Sequence, residues 1–245
     1  MFGRRTSSWG HHVTCNGEEP GVAETGSYPA QRVAHPEPQL GQLHATPVPL
    51  AVSDFLQRHH REWRAATCHA FLDGVRDGGL PVGAFLAWLQ QDYLFVNDLL
   101  AFQARLLAGA PRPAQSVLAA GLVALEAELT WFEAQLARRE LPLVAARHPT
   151  TDAYRKELER LSTEPVEVGI TALWALERAY LEAWRGAAPG AAEYREFIEH
   201  WTAPAFARYV AGLEVHATDS PGTEAAWLRI VRLEREFWNM ALGAG

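Results

Sequence analysis

Phe85-Leu-Ala-Trp88-Leu-Gln-Gln-Asp92-Tyr-Leu-Phe95-Val96-Asn-Asp-Leu99 is the stretch that decides the fold class of this chain. Its large apolar residues recur at intervals of three and four. That is the period of a helix with one buried stripe, not the alternation of a half-buried strand. Pro81 ahead of it and Gly109-Ala-Pro111 behind it are start and stop signals for one long helix. One member of the stripe is out of place by polarity. Asp92 lies four residues after Trp88, three before Phe95, and seven from both Phe85 and Leu99, which puts a carboxyl on the apolar face.

Working outward, the same period continues in both directions. Upstream, Ser53 is placed as an N-cap, and Phe55, Trp63 and Phe71 anchor a helical segment running to the Gly78-Gly79 stop. Downstream, residues 113–139 carry Leu118, Leu122, Leu125, Leu129, Phe132 and Leu136 in register. Pro142 and Pro149 bound a loop, and Thr150 or Thr151 starts a short helix through Leu161. Further helices are expected over 166–185, 191–216 and 223–242. No convincing strand pattern and no internal repeat interrupts them, so residues 49–245 read as a single-domain, all-α helical bundle. Residues 1–48, rich in Gly, Ser, Thr and His and broken by Pro20, Pro29, Pro36, Pro38 and Pro47, read as a disordered or extended tail.

Bulk properties exclude several classes of function. The 245 residues are 48% hydrophobic and 21% charged, an ordinary globular balance. A net charge of −7 gives no electrostatic footprint for nucleic acid. No apolar run approaches the roughly 18 residues needed to span a bilayer, and no apolar segment follows Arg4 and Arg5 to make a signal peptide. Cys15 and Cys68 are too few for a disulfide framework or a cysteine metal cluster, so cytoplasm is the expected compartment. Lys156 is the only lysine and sits in a charged stretch, a poor setting for Schiff-base chemistry.

Asp92 has company. Glu177 falls between Leu173 and Tyr180-Leu181-Trp184, and Glu234 follows Trp227, Ile230 and Val231 and precedes Trp238, each within an aromatic-rich stripe. A buried ionised carboxylate is costly unless paired, hydrogen-bonded or raised in pKa. One such acid is commonly part of a core network. Three on three helices can converge on one cavity, and perturbed carboxylates in a cleft are what acid–base catalysis uses. No GxSxG, P-loop or dinucleotide fingerprint competes with this reading.

The residues also carry a family resemblance. His69-Ala-Phe71-Leu-Asp-Gly-Val-Arg-Asp-Gly-Gly-Leu-Pro81, then Phe85 and Trp88 through Val96, is similar to the opening signature of TenA (thiaminase-II-type) proteins. Pro149-Thr-Thr-Asp-Ala-Tyr154 resembles their mid-chain motif, and Leu173-Trp174-Ala-Leu-Glu177-Arg-Ala-Tyr180 their nucleophile helix. Residues 194–201 with Phe206 and Tyr209, and finally Glu234-Arg-Glu-Phe-Trp238-Asn-Met240, continue the likeness over residues 55–242.

The resemblance implies a haem-oxygenase-like helical fold without a cofactor or metal, a small pyrimidine substrate, and a homo-oligomer, dimer or tetramer. It assigns Asp92 to the pyrimidine edge, Glu234 to general acid, and Tyr154 and Tyr180 to the pocket. Phe95 and Trp201 fall where cysteine-type members usually have tyrosines, so stacking is expected to replace two polar contacts. Leu176 stands at the catalytic cysteine position, and the adjacent Glu177, in a Trp-x-x-Glu-x-x-Tyr pattern, resembles the glutamate-type branch. That branch is linked to thiamin salvage, hydrolysing aminomethyl-pyrimidine or its N-formyl derivative. A glutamate suits water activation, and two carboxyls with separated pKa values suit a base and an acid.

Two other classes fit parts of the pattern. A di-iron oxidase of the same fold would draw on Glu196 and His200, one turn apart, with Glu126, Glu133 and His69, though the Glu-x-x-His spacing of ferritin-like sites is missing. Haem ligation would need His59, His60 or His69. A non-catalytic pyrimidine-binding or regulatory protein would bind without turnover.

Overall fold

In the computed structural model, residues 52–244 are described. The tail expected over 1–48 lies outside them. The described residues form ten α-helices and no strand: α1 (Asp54–Arg58), α2 (His60–Thr67), α3 (Ala70–Asp77), α4 (Val82–Gly109), α5 (Arg112–Arg138), α6 (Pro149–Leu161), α7 (Val166–Ala187), α8 (Arg195–Thr202), α9 (Pro204–Glu214) and α10 (Pro221–Leu242). A 3-10 turn over Ala192–Tyr194 leads into α8. No helix among the described residues is long and apolar enough to cross a membrane.

Prolines punctuate the bundle. Pro81, Pro111 and Pro165 sit immediately before α4, α5 and α7, and Pro149, Pro204 and Pro221 open α6, α9 and α10. Each position suits a residue without an N–H and with φ already near the helical value. Ser220 and Thr223 add a reciprocal capping box to α10. Gly78, at φ +77°, ends α3 in a conformation that favours glycine.

Two expected segments are shorter than their periodicity implied. The first is three helices, broken at His59 and again at Cys68-His69, where the backbone becomes extended and the His69 ring accepts from Phe71 N–H. Ser53 does precede α1 but makes no side-chain cap. The expected helix over 191–216 breaks at Ala203, because the ring of Pro204 disfavours a helical conformation in the residue before it.

Helix α4 folds back through the Ala110-Pro111 link onto α5, and α7 packs against α10, α9 and α8. Fifteen of the 22 residues of α7 are buried, including Trp174 and Trp184, so α7 is a central helix of the described bundle. That position obliges any polar side chain on it to face either a partner or a cavity.

Candidate functional site

One cavity lies against α7, with walls from α4, α5, α7, α8 and α9. It is narrow, with about 310 Å³ of space counting the gaps between atoms. Its polar lining is Asp92, Glu128, Glu177, Tyr180 and Trp201, set among Phe95, Val96, Leu99, Leu125, Leu176 and Phe206. Among the described residues no arginine, lysine or histidine lines it.

Asp92, on the buried stripe of α4, is 2% exposed and accepts a 2.6 Å hydrogen bond from the Tyr180 hydroxyl. Burial pushes its pKa well up. The Tyr180 bond opposes this, and the charges of Glu128 and Glu234 add to the rise. Tyr180 itself stacks on Trp238 at 5.8 Å and meets Trp201 edge-on at 5.3 Å. The Asp92–Tyr180 pair is thus a fixed donor–acceptor edge backed by aromatic rings.

Glu177 is 6% exposed and makes no hydrogen bond with another described residue. Burial, then repulsion from Glu128 and Glu234, lifts its pKa well above the usual carboxylate range. A buried acid normally acquires a partner, so an unpartnered one facing a cavity is kept for something that enters it.

Glu234 on α10 and Tyr154 on α6 form a second acid–tyrosine pair, the Tyr154 hydroxyl donating to Glu234. Neither lines the cavity. They adjoin it through Phe95, whose ring stacks on Tyr154 at 4.6 Å. Burial raises Glu234 to about 7, with the Tyr154 bond working against the rise.

All seven residues singled out in the sequence (Asp92, Phe95, Tyr154, Glu177, Tyr180, Trp201 and Glu234) therefore fall on or next to this cavity. Trp201 does more than stack. Besides lying against Trp184 at 4.8 Å, its indole N–H donates 2.7 Å to Glu128.

Glu128 is the residue that sequence reasoning missed. Burial raises it to about 7, partly offset by the Trp201 bond. The signal existed, since Leu125, Glu128 and Phe132 follow the three-and-four spacing of a buried stripe. Leu129 obscured it, because Leu125, Leu129, Phe132 and Leu136 complete the stripe without Glu128. Among the described residues the histidine near it is His200, 3.9 Å away and stacked on Trp131 at 4.2 Å, and burial lowers its pKa towards the neutral form.

The residues of the di-iron alternative are dispersed among structural contacts. Glu196 binds Gln135 and Arg138, Glu133 accepts from Tyr93, and His69 pairs with Asn239. His59, the first haem-ligand candidate, is held by Glu224 at 2.7 Å. No group of three or more His, Cys, Asp or Glu side chains among the described residues is arranged to hold a metal ion.

Comparison with known proteins agrees with the resemblance. The model of the TENA/THI-4/PQQC family matches residues 56–244. A Glycine max protein named "Probable bifunctional TENA-E protein" is 29% identical over 210 residues, covering 77% of this chain and 92% of its own. Among solved structures, a TenA homologue from Pyrococcus furiosus superposes with a TM-score of 0.74 at 25% identity, over 78% of this chain and 100% of its own. A TenA homologue from P. horikoshii OT3 gives 0.69 at 18% identity, over 80% and 100%. The all-α fold of this chain is haem-oxygenase-like.

Proposed function

The chain belongs to the TENA/THI-4/PQQC family, and from that premise we propose that it is a glutamate-type member hydrolysing a C–N bond of thiamin-related aminopyrimidines in thiamin salvage. The observation that carries this reading is Glu177, a buried and unpartnered acid facing a cavity that also presents the Asp92–Tyr180 edge. The name of the Glycine max relative, a TENA-E protein, points the same way.

In this reading Asp92 and Tyr180 bind the amino and ring-nitrogen edge of the pyrimidine, and Phe95 and Trp201 flank the ring. Glu177 orients a water and takes its proton as the oxygen attacks. Glu234, steadied by Tyr154, returns a proton to the departing amine. The working state has Glu177 ionised and Glu234 protonated. Burial alone disfavours ionised Glu177, so a ligand group that favours the carboxylate has to enter with the substrate. Leu176, at the position of the family's cysteine, offers no thiolate, so cleavage of thiamin by nucleophilic attack is not part of the proposal.

The test is to incubate purified full-length protein with aminomethyl-pyrimidine, its N-formyl derivative and thiamin, and to follow products by mass spectrometry. Release of ammonia or formate at catalytic rates is the expected result. Binding of pyrimidines with no product would leave a binding protein instead, and no binding would remove the pyrimidine reading altogether.

A further inference from the structure

Glu128 has no place in the mechanism above, yet it lines the same cavity as Glu177 and is fixed there by the Trp201 indole N–H at 2.7 Å. Its charge bears on both Asp92 and Glu177. Elsewhere in this protein, acids close to one another share cations, as Asp152 and Glu159 share Arg155. Among the described residues no lysine or arginine lines the cavity. His200, beside Glu128, is shifted towards its neutral form by burial and occupied in stacking on Trp131.

An acid cluster with no lysine or arginine among the described residues to balance it, and with one buried member that makes no hydrogen bond to them, is electrostatically unfavourable by itself. A ligand completes it by bringing a positive charge. We infer that Glu128 and Glu177 together form an ammonium receptor, making Glu128 a specificity-determining residue that selects the free, protonated aminomethyl-pyrimidine over neutral analogues. This inference rests on the proposed function and narrows it to loss of ammonia.

The chemistry balances without a further reactant. The C–N bond breaks and its electron pair leaves with nitrogen as ammonia; because the amine binds already protonated, this substrate draws no proton from Glu234. A C–O bond forms to water, and the water's surplus proton passes to a carboxylate. The products are the hydroxymethyl-pyrimidine, ammonia and one proton. In the bound state the ammonium N–H groups donate to the two glutamates, which stabilises Glu177 as the carboxylate that the attack requires.

The deciding experiment compares two ligands of the same shape. Aminomethyl-pyrimidine carries a cationic donor, and hydroxymethyl-pyrimidine carries a neutral one. Affinities are measured by rapid-mixing tryptophan fluorescence, completed before turnover, on the full chain. Wild type is expected to favour the amine by at least about tenfold, the weight of a charge-assisted hydrogen bond. Glu128→Gln is expected to remove most of that preference while leaving affinity for the alcohol within about twofold.

An unchanged ratio in Glu128→Gln, or equal weakening of both ligands, would overturn the receptor. So would a wild-type ratio near one, and in that case binding of the alcohol would leave the proposed function standing. If neither ligand binds, the proposed function fails and this inference fails with it. Should Glu128→Gln not melt cooperatively, Glu128→Asp takes its place. A reduced ratio is then expected because the shorter acid withdraws from the cavity, and an unchanged ratio counts against the inference.

Discussion

On α6 every acid has a cation within reach. Asp152 is held by Arg155 and Lys156, Glu157 by Arg160 and Arg229, and Glu159 by Arg155. Around the cavity of α4, α5 and α7, the acids have tyrosine, indole or no hydrogen-bond partner among the described residues, with only His200, shifted towards its neutral form, 3.9 Å from Glu128. The two settings drive ionisation in opposite directions. Lys156 and Arg155 bring Asp152 down to about 2. Glu157 is also lowered, because Arg160 and Arg229 outweigh its burial. Glu128 and Glu234 rise to about 7, and burial pushes Asp92 and Glu177 well above their usual range. The same residue type stabilises a helix surface in one region and stores an unmet electrostatic demand in the other. Sites are commonly built from the second kind.

The sharpest way to break this contrast is to neutralise Glu177. Glu177→Gln keeps the volume and removes the base. Turnover is expected to fall by at least about 10²-fold, the ordinary weight of general acid–base catalysis. Substrate affinity should change much less than turnover, because the proton transfer acts mainly in the transition state. Stability should hold or rise, since no partner is orphaned and a buried titrating group is lost. Wild-type turnover in the folded variant would remove Glu177 from the mechanism, and a lowered melting temperature would assign it to the core.

Asp92→Asn tests the other half of the cavity. The amide keeps the shape but turns one acceptor into a donor, facing both Tyr180 and the ligand edge. Pyrimidine affinity is expected to weaken by about 1–3 kcal/mol with the fold retained, as judged by titration and circular dichroism. Unchanged affinity would make Asp92 a partner of Tyr180 and nothing more.

The pH dependence of stability sets the two regions against each other directly. Glu128 and Glu234 have folded-state values raised to about 7, so their contribution is complete below about pH 4.5 and is lost as pH rises through 7. Asp152, lowered to about 2, contributes above its unfolded value and is lost only as pH falls towards 2. The melting temperature of the ligand-free protein should therefore decline by several degrees, roughly 5 °C, between pH 5 and pH 8. Glu234→Gln should flatten that decline. A melting temperature that climbs across this window would mean the cavity acids are ionised at little cost.

Much of this arrangement was legible in the chain, for identifiable reasons. Asp92, Glu177 and Glu234 stand out because each interrupts a stripe of aromatic residues whose helical period is strong. Pro204 marks the break between α8 and α9, a local signal that the apolar period running across residues 191–216 masks. The breaks at His59 and Cys68-His69 carry no proline or glycine, so no local signal in the sequence marks them. Glu128 was hidden by Leu129 beside it, since both are half-buried and either fits the stripe. Its bond from Trp201 joins residues 73 apart in sequence, a relation that exists only once α5 and α8 are packed.

The smallest expected effect is on α6, and its smallness matters. Arg155 forms exposed pairs with Asp152 three residues before it and Glu159 four after it. Helical pairs of this kind are worth a few tenths of a kcal/mol each, because water screens the charges and two long side chains must be held still. Asp152 keeps Lys156 when Arg155 is lost, so no acid there becomes buried and alone. Arg155→Ala also gains helix propensity, which offsets part of the loss. The melting temperature should stay within about 2 °C of wild type, and kcat/KM for the aminopyrimidine should be unchanged. Lys156 lowers the Asp152 carboxyl more than Arg155 does, consistent with a surface network that tolerates losing one member. A destabilisation of several degrees would mean that α6 depends on its surface charges to hold Tyr154 against Glu234, and the two regions would then be coupled through that helix.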